Sequence, residues 1–279
     1  MTVIQAIILG IIQGITEYLP ISSSGHLILI PYLFGWDLQD LNFDVSLHLG
    51  TAFASLIFFW RDWHLMAIDS FNDLKTPSEF RNRHKLRRGT KILTTIIIVS
   101  IPVAVAGLLF EDIIENIFRS AIWVSIMMFL ITGFMYFADR YSKSLDKSFL
   151  KTEISSPTFI DSLLISVSQI IALIPGSSRS GCSISTGLYR NLSRENAARY
   201  SFLLGTPIIL GAGLYQSKEL VNLPQSDIIL YLIGFFTSFI TGLIVIKWLL
   251  AYLRNKDLKI FIIYRLILAG VIIFVYFYQ

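Results

Sequence analysis

The chain is predicted to be an all-α integral membrane protein, with six transmembrane helices and two re-entrant helical hairpins arranged as an inverted internal repeat. Hydrophobic residues make up 54% of its 279 positions and charged residues 15%, and mean hydropathy is +0.65. Six apolar stretches reach the length that a bilayer core about 30 Å thick requires at about 1.5 Å per helical residue. Two more apolar stretches are interrupted in the middle by Pro/Ser/Gly clusters that resemble each other.

The six stretches are residues 43–60, 92–110, 120–138, 200–217, 228–250 and 259–278. Stretches 1–34 and 160–189 each contain a cluster that would break a helix. Each is expected to form helix, break, helix, with both ends on one face and its non-helical backbone buried in protein or facing a water-filled cavity. The competing reading of 1–34 is one ordinary spanning helix followed by a loop, but Leu27–Phe34 is too apolar for an exposed loop. Pro20, Ser22, Ser23, Leu49, Gly50 and Thr51 recur as Pro175, Ser177, Ser178, Leu204, Gly205 and Thr206, each pair 155 positions apart. Three crossings separate equivalent points, an odd number, so the halves (about 1–138 and 156–279) must be inverted within a single membrane domain.

Loop charge sets the expected orientation. Arg81, Arg83, Lys85, Arg87, Arg88 and Lys91 form the largest basic cluster, and Arg140/Lys143/Lys147/Lys151, Arg190/Arg194/Arg199 and Arg254/Lys256/Lys259 fall on the same side of the alternation, the cytoplasmic one. Asp37/Asp40/Asp44, Glu111/Asp112/Glu115 and Lys218/Glu219/Asp227 belong outside, as do both termini. The net charge of +4 therefore reflects loops beside anionic headgroups and not nucleic-acid binding. The N-terminus lacks a basic n-region and a small-residue cleavage site, so it is expected to remain in the mature chain. Cys182, the single cysteine, reads as a small packing residue; no Cys/His spacing resembles a zinc site.

Within the two interrupted stretches ionisable groups are scarce. Residues 1–36 carry only Glu17 and His26, and residues 162–189 only Arg179. In hydrocarbon such groups cost ~2.5–3.5 kcal/mol on insertion scales and mark sites or pathways. Gln13 and Glu17, at i and i+4, share a helix face as two ligands of one ion or proton would. Ser22, Ser23, Ser24 and Gly25 offer hydroxyls and an approachable backbone, and His26 titrates near neutrality. The structural alternative is that Glu17 and His26 only neutralise each other, which leaves the serine run unexplained. Gly176, Ser177, Ser178, Arg179, Ser180 and Gly181 read as an anion nest with a guanidinium that can bind two phosphate oxygens. Together the segments describe a phosphate-transfer site.

The pair Gln-x-x-x-Glu followed by Leu-Pro-Ile-Ser-Ser-Ser-Gly-His (19–26), with Pro-Gly-Ser-Ser-Arg-Ser-Gly (175–181), resembles the undecaprenyl-diphosphate phosphatase family of the bacitracin-resistance type. The likeness extends to Leu-His-Leu-Gly-Thr at 47–51 and Leu-Leu-Phe-Glu-Asp at 108–112. It implies hydrolysis of the C55 lipid diphosphate to the monophosphate on the outer side of the bacterial inner membrane, recycling the peptidoglycan lipid carrier, with Mg²⁺ or Ca²⁺ as cofactor. The family's motif allows Glu or Gln at its leading position; with Gln13 there, the motif supplies one carboxylate, Glu17, with Gln13 as the second candidate metal ligand.

For the mechanism, attack on the terminal phosphorus needs a nucleophile, a base and positive charge on the phosphoryl oxygens. Ser23 is the preferred nucleophile, Glu17 the base or metal ligand and Arg179 the phosphate clamp, with His26 either the acid/base partner or itself the nucleophile. Ser22, Ser24, Gly176, Ser178, Ser180 and Gly181 are expected to line the phosphate site, and His48 to lie near it or to serve packing. The partners expected are a polyprenyl diphosphate, membrane lipids and, as a candidate assembly, a second copy of the chain. A polyprenyl-phosphate flippase or anion carrier is the competing function, because broken hairpins in inverted repeats are common in transporters.

Overall fold

The computed structural model describes residues 1–75, 85–118, 120–153, 157–220 and 225–278. Among them are eleven α-helices and no strands. Six helical segments are long and apolar enough to cross a membrane: Leu41–Phe58, Arg88–Phe110, Ala121–Ser144, Arg194–Gln216, Ile228–Leu253 and Lys259–Phe277. Each coincides with a predicted span to within a few residues. They belong to α3 (Leu41–Phe58), α5 (Arg88–Ile117), α6 (Ala121–Ser144), α9 (Arg194–Leu220), α10 (Gln225–Leu253) and α11 (Lys259–Tyr278). Large apolar side chains such as Ile97, Ile101, Leu109, Leu130, Phe236, Ile244 and Ile267 stand exposed around this bundle, a surface that lipid rather than water satisfies.

The interrupted stretches form two pairs of short helices, α1 (Val3–Thr16) with α2 (Ser23–Phe34), and α7 (Phe159–Ile171) with α8 (Arg179–Tyr189). Their local chemistry matches position for position. Thr2 and Thr158 each cap the first helix of a pair with a reciprocal capping box, which satisfies N–H groups that a helix start leaves unpaired. Ser22 (φ 79°) and Ser178 (φ 73°) each cap the second helix from the left-handed region, their hydroxyls accepting from Gly25 and Gly181 N–H. These equivalences lie 156 residues apart, whereas the repeated letters of the break lie 155 apart. In capping geometry Ser22 corresponds to Ser178, and the residues that follow them are Ser23 and Arg179.

Packing sets the depth of the first break. Gly10 and Gly14 bring α1 so close to α10 that a Cβ on them would stand 3.0 and 2.9 Å from the carbonyl oxygens of Gly234 and Ser238, the small-x-x-x-small device by which membrane helices approach. Descending α1 thus tracks α10 to Tyr18, whose ring lies against Gly242, near the midpoint of span Ile228–Leu253. The Tyr18 hydroxyl donates to the carbonyl of Thr51 in the middle of α3. On the other side, α8 packs among α6, α7 and α9.

The arginine-rich end is tied by ion pairs that span several helices. Arg194 meets Asp139 at 2.7 Å, Arg190 meets the fully buried Asp161 at 2.7 Å, Arg199 meets Asp62 at 2.7 Å and Arg254 meets Glu195 at 2.8 Å. A cavity of about 700 Å³ opens there, lined in part by Asp62, Arg88, Arg194, Arg199 and Arg254. The basic loop predicted over 61–91 is not all loop: Trp60–Leu74 forms α4, an amphipathic helix with Leu65, Ile68, Phe71 and Leu74 exposed, as suits an interfacial segment. Asp69 and Asp73 of α4 accept from the N–H groups of Gly89 and Arg87 at the start of α5. Arg81 and Arg83 lie outside the described residues, as do the side chains of Glu111, Asp112, Glu115, Lys147, Lys218, Glu219 and Asp227.

Candidate active site

Glu17 is the hub of the site. It follows the last residue of α1, is buried, and has four polar neighbours drawn from four helices. Gln13, one turn earlier on the same face, donates from Nε2 to Oε2 at 3.0 Å. Ser23, the first residue of α2, donates from Oγ to the same oxygen at 2.7 Å. Arg179, the first residue of α8, donates from Nη2 to Oε1 at 3.1 Å. His48 of α3 approaches with Nε2 at 3.7 Å from Oε2. The two structurally equivalent positions after the left-handed serines, Ser23 and Arg179, are thus the two that converge on Glu17 from opposite breaks.

Arg179 is held from behind as well. Its Nη1 donates to the carbonyl of Ser201 on α9 at 3.3 Å. A Cβ at Gly205, one turn further on, would overlap the guanidinium. Gly205 lies at the middle of the apolar segment Arg194–Gln216, so the cation sits beside the midpoint of that segment and next to the break that carries Glu17. Ser180 Oγ donates to the Leu19 carbonyl at 3.0 Å and so joins the start of α8 to the first break.

His26 is not brought to Glu17. Its Nδ1 lies 2.6 Å from the Ser22 carbonyl, which can only accept, so Nδ1 carries the proton and Nε2 accepts from the hydroxyl of Tyr264, also at 2.6 Å. The mutual neutralisation of Glu17 and His26 does not occur. His48, left open between packing and proximity, has its Nδ1 on the Asp44 carbonyl at 2.8 Å, and this turns Nε2 toward the carboxylate.

The remaining predicted residues build the breaks. Ser22 and Ser178 cap helices, while Ser24 and Ser180 lie 3.5 and 3.2 Å from those cap hydroxyls. Gly25 and Gly181 supply the capped N–H groups. Gly176 has φ 91°, and a side chain there would strike the backbone of Val124 on α6. Cys182 is buried at the start of α8. Among the described residues no cluster of three His, Cys, Asp or Glu side chains could hold a metal. The buried Oε1 of Gln13 has no hydrogen-bond partner among the described residues.

Two contributors, Tyr264 and Arg265 of α11, were not anticipated. Arg265 is fully buried and donates to the Gly176 and Ser177 carbonyls at 2.9 and 3.3 Å. It is the only charged side chain in residues 260–279, so the criterion that singled out Glu17 and Arg179 would have found it.

The assembly offers a hydroxyl already hydrogen-bonded to a carboxylate, with a guanidinium on the other carboxylate oxygen: a nucleophile, a proton acceptor and an anion clamp within one shell. The model of the family described as bacitracin resistance protein BacA matches residues 6–271. A protein of Caldicellulosiruptor bescii named undecaprenyl-diphosphatase is 42% identical over 277 residues, covering 99% of this chain and 98% of that one. Proteins of the same name from Thermodesulfovibrio yellowstonii (over 278 residues, 99% and 98% covered) and Pelotomaculum thermopropionicum (over 275 residues, 99% and 97%) are each 41% identical. With a family match across nearly its whole length and relatives of this similarity, the chain belongs to the bacitracin resistance protein BacA family.

Proposed function

We propose that this chain hydrolyses undecaprenyl diphosphate to undecaprenyl phosphate and inorganic phosphate, recycles the peptidoglycan lipid carrier and thereby confers bacitracin resistance. The observation that carries the reading is the Ser23–Glu17–Arg179 constellation, held among helices long and apolar enough to cross a membrane. A polyprenyl chain can stay in lipid there while its diphosphate meets donors.

Arg179 pairs with Glu17. An arriving phosphoryl group competes for the guanidinium, which can bind two oxygens at once, and Glu17 regains basicity as its partner turns to substrate. Ser23 Oγ attacks the terminal phosphorus and its proton passes to Glu17 Oε2. The P–O bond to the lipid phosphate breaks, and the lipid monophosphate leaves with the proton that Glu17 had taken up. Water then attacks the phosphoserine, giving a proton to the freed Glu17 carboxylate, and the P–Oγ bond breaks as that proton returns to Ser23 Oγ, releasing inorganic phosphate. The N–H groups at the starts of α2 and α8 add positive potential.

A divalent cation, Mg²⁺ or Ca²⁺, would be held by the Glu17 carboxylate and by Gln13 Oε1, which accepts no hydrogen bond among the described residues. It would neutralise phosphoryl charge. Each helix pair is re-entrant in this reading, and the two halves form an inverted repeat; the matched threonine and serine caps 156 residues apart support it. The arginine-rich end is the cytoplasmic one in this reading, as the loop charge supports, and the site opens to the outer side.

The test is turnover. Protein purified in detergent should release phosphate from farnesyl and undecaprenyl diphosphates, with activity that falls on chelation. Release from neither substrate would favour a carrier, whose activity appears only in sealed vesicles.

A further inference from the structure

A buried guanidinium without a carboxylate partner costs several kcal/mol, and an apolar residue of similar volume would fill the same space at less cost. Arg265 is in that position: 0% exposed, in no ion pair among the described residues, with Nη1 unpartnered. Its other nitrogens are fully engaged. Nε donates to Thr132 Oγ1 at 2.8 Å, and Nη2 reaches the carbonyls of Met128 at 3.3 Å, Gly176 at 2.9 Å and Ser177 at 3.3 Å. The last two carbonyls belong to the second break, where no helical N–H is available and where an unsatisfied carbonyl is expensive away from water. The planar fork of an arginine can serve several such acceptors; a lysine ammonium serves them as a point.

The residue before it serves the other break. Tyr264 donates to His26 Nε2 at 2.6 Å, with the two rings stacked at an interplanar angle of 7°. His26 in turn donates to the Ser22 carbonyl. Neighbouring positions on one helix point about 100° apart, so α11 reaches each break with a different side chain.

We propose that Tyr264 and Arg265 form a clamp by which α11 fixes the two breaks relative to each other, and so sets the distance from Ser23 to Arg179 across Glu17. They are positioning residues: neither touches Glu17, Ser23 or Arg179 through a hydrogen bond or ion pair, and each acts through the backbone of one break. The inference rests on the phosphatase reading for its consequence, not for its geometry.

Cys182 provides a probe of that geometry. It is the sole cysteine, 1% exposed, with Sγ 4.0 Å from the Ser177 carbonyl that Arg265 holds. In detergent-purified full-length protein, Arg265→Lys should lower kcat for farnesyl diphosphate by about 10- to 100-fold, the scale of a small misplacement of catalytic groups, with KM within about threefold of wild type. Alkylation of Cys182 by N-ethylmaleimide should rise about tenfold as the second break opens locally. Tyr264→Phe should lower kcat and leave Cys182 as slow to react as in wild type, because it releases the other break; this variant keeps the test readable if Arg265 variants fail to fold. Wild-type kcat in folded Arg265→Lys, or alkylation within about twofold of wild type in that variant, would overturn the clamp. If the wild-type protein releases no phosphate, the phosphatase reading fails, and the alkylation comparison still decides for or against the clamp.

Discussion

The guanidinium of Arg179 occupies the space that a side chain at Gly205 would fill. In a helix interior Gly→Ala normally stabilises by ~1 kcal/mol through propensity, so Gly205→Ala should leave a folded protein while pushing Arg179 off the Ser201 carbonyl and off Glu17. Phosphate release is expected to fall by about 100-fold, a barrier increase of ~2.7 kcal/mol. Unchanged activity in Gly205→Ala would mean that Arg179 need not occupy this position.

Charge and hydrogen bonding at Glu17 can be separated. Glu17→Gln keeps an acceptor for Ser23 but removes the base and the partner of Arg179; turnover should drop by about 100-fold or more. Arg179→Ala would leave a buried carboxylate unpaired at a cost of ~3–5 kcal/mol to the fold, so Arg179→Lys is the cleaner variant. It keeps the charge, loses the bidentate fork and should lower kcat more than it raises KM. A lysine variant with full kcat would remove two-oxygen clamping from the mechanism.

The α4–α5 junction carries a pH dependence. The Thr90 hydroxyl, with the Arg87 N–H and guanidinium, holds the Asp73 carboxyl below its ordinary value of 3.8. A depressed carboxylate contributes stability that is present above the unfolded pKa and is lost as pH falls through the folded pKa. Thermal stability of the wild-type protein should therefore decline below about pH 4, and Asp73→Asn should flatten that part of the curve. An identical acid decline in both proteins would remove Asp73 from the account.

Orientation is tested by labelling introduced cysteines in a Cys182→Ser background. Ile113, exposed near the end of α5, should react with an impermeant maleimide in intact cells, and Lys85, in the basic loop, only after permeabilisation. The reverse pattern would turn the protein over and place the site on the cytoplasmic side.

The spans were legible because hydrocarbon thickness dictates a run of apolar residues whatever their tertiary partners. The breaks were legible because Pro20 and Pro175 each stand beside a serine and glycine cluster, a combination that disfavours an unbroken helix. Pro20 and Pro175 match as letters at 155, whereas the left-handed caps Ser22 and Ser178 match as conformations at 156, an offset that letters alone do not show. The partner of His26 was not legible, because a tyrosine 238 positions away leaves no local mark. Arg265 was legible in principle, and α4 was hidden because its charged face gives it the composition of a loop.

The proposal of Ser23 as nucleophile rests on a contrast with His26. Both ring nitrogens of His26 are engaged, one by a carbonyl and one by the Tyr264 hydroxyl, whereas Ser23 Oγ already donates to the carboxylate that would accept its proton. Attack by His26 requires Tyr264 to leave first; attack by Ser23 requires only the substrate. Ser23→Ala should therefore abolish turnover, and a His26→Gln variant should retain a slow rate. Acid quenching after brief exposure to substrate should trap an acid-stable phosphoserine in the wild-type protein. An alkali-stable, acid-labile phosphohistidine at position 26 would reverse the assignment and make the Tyr264 contact a resting-state cap on the nucleophile.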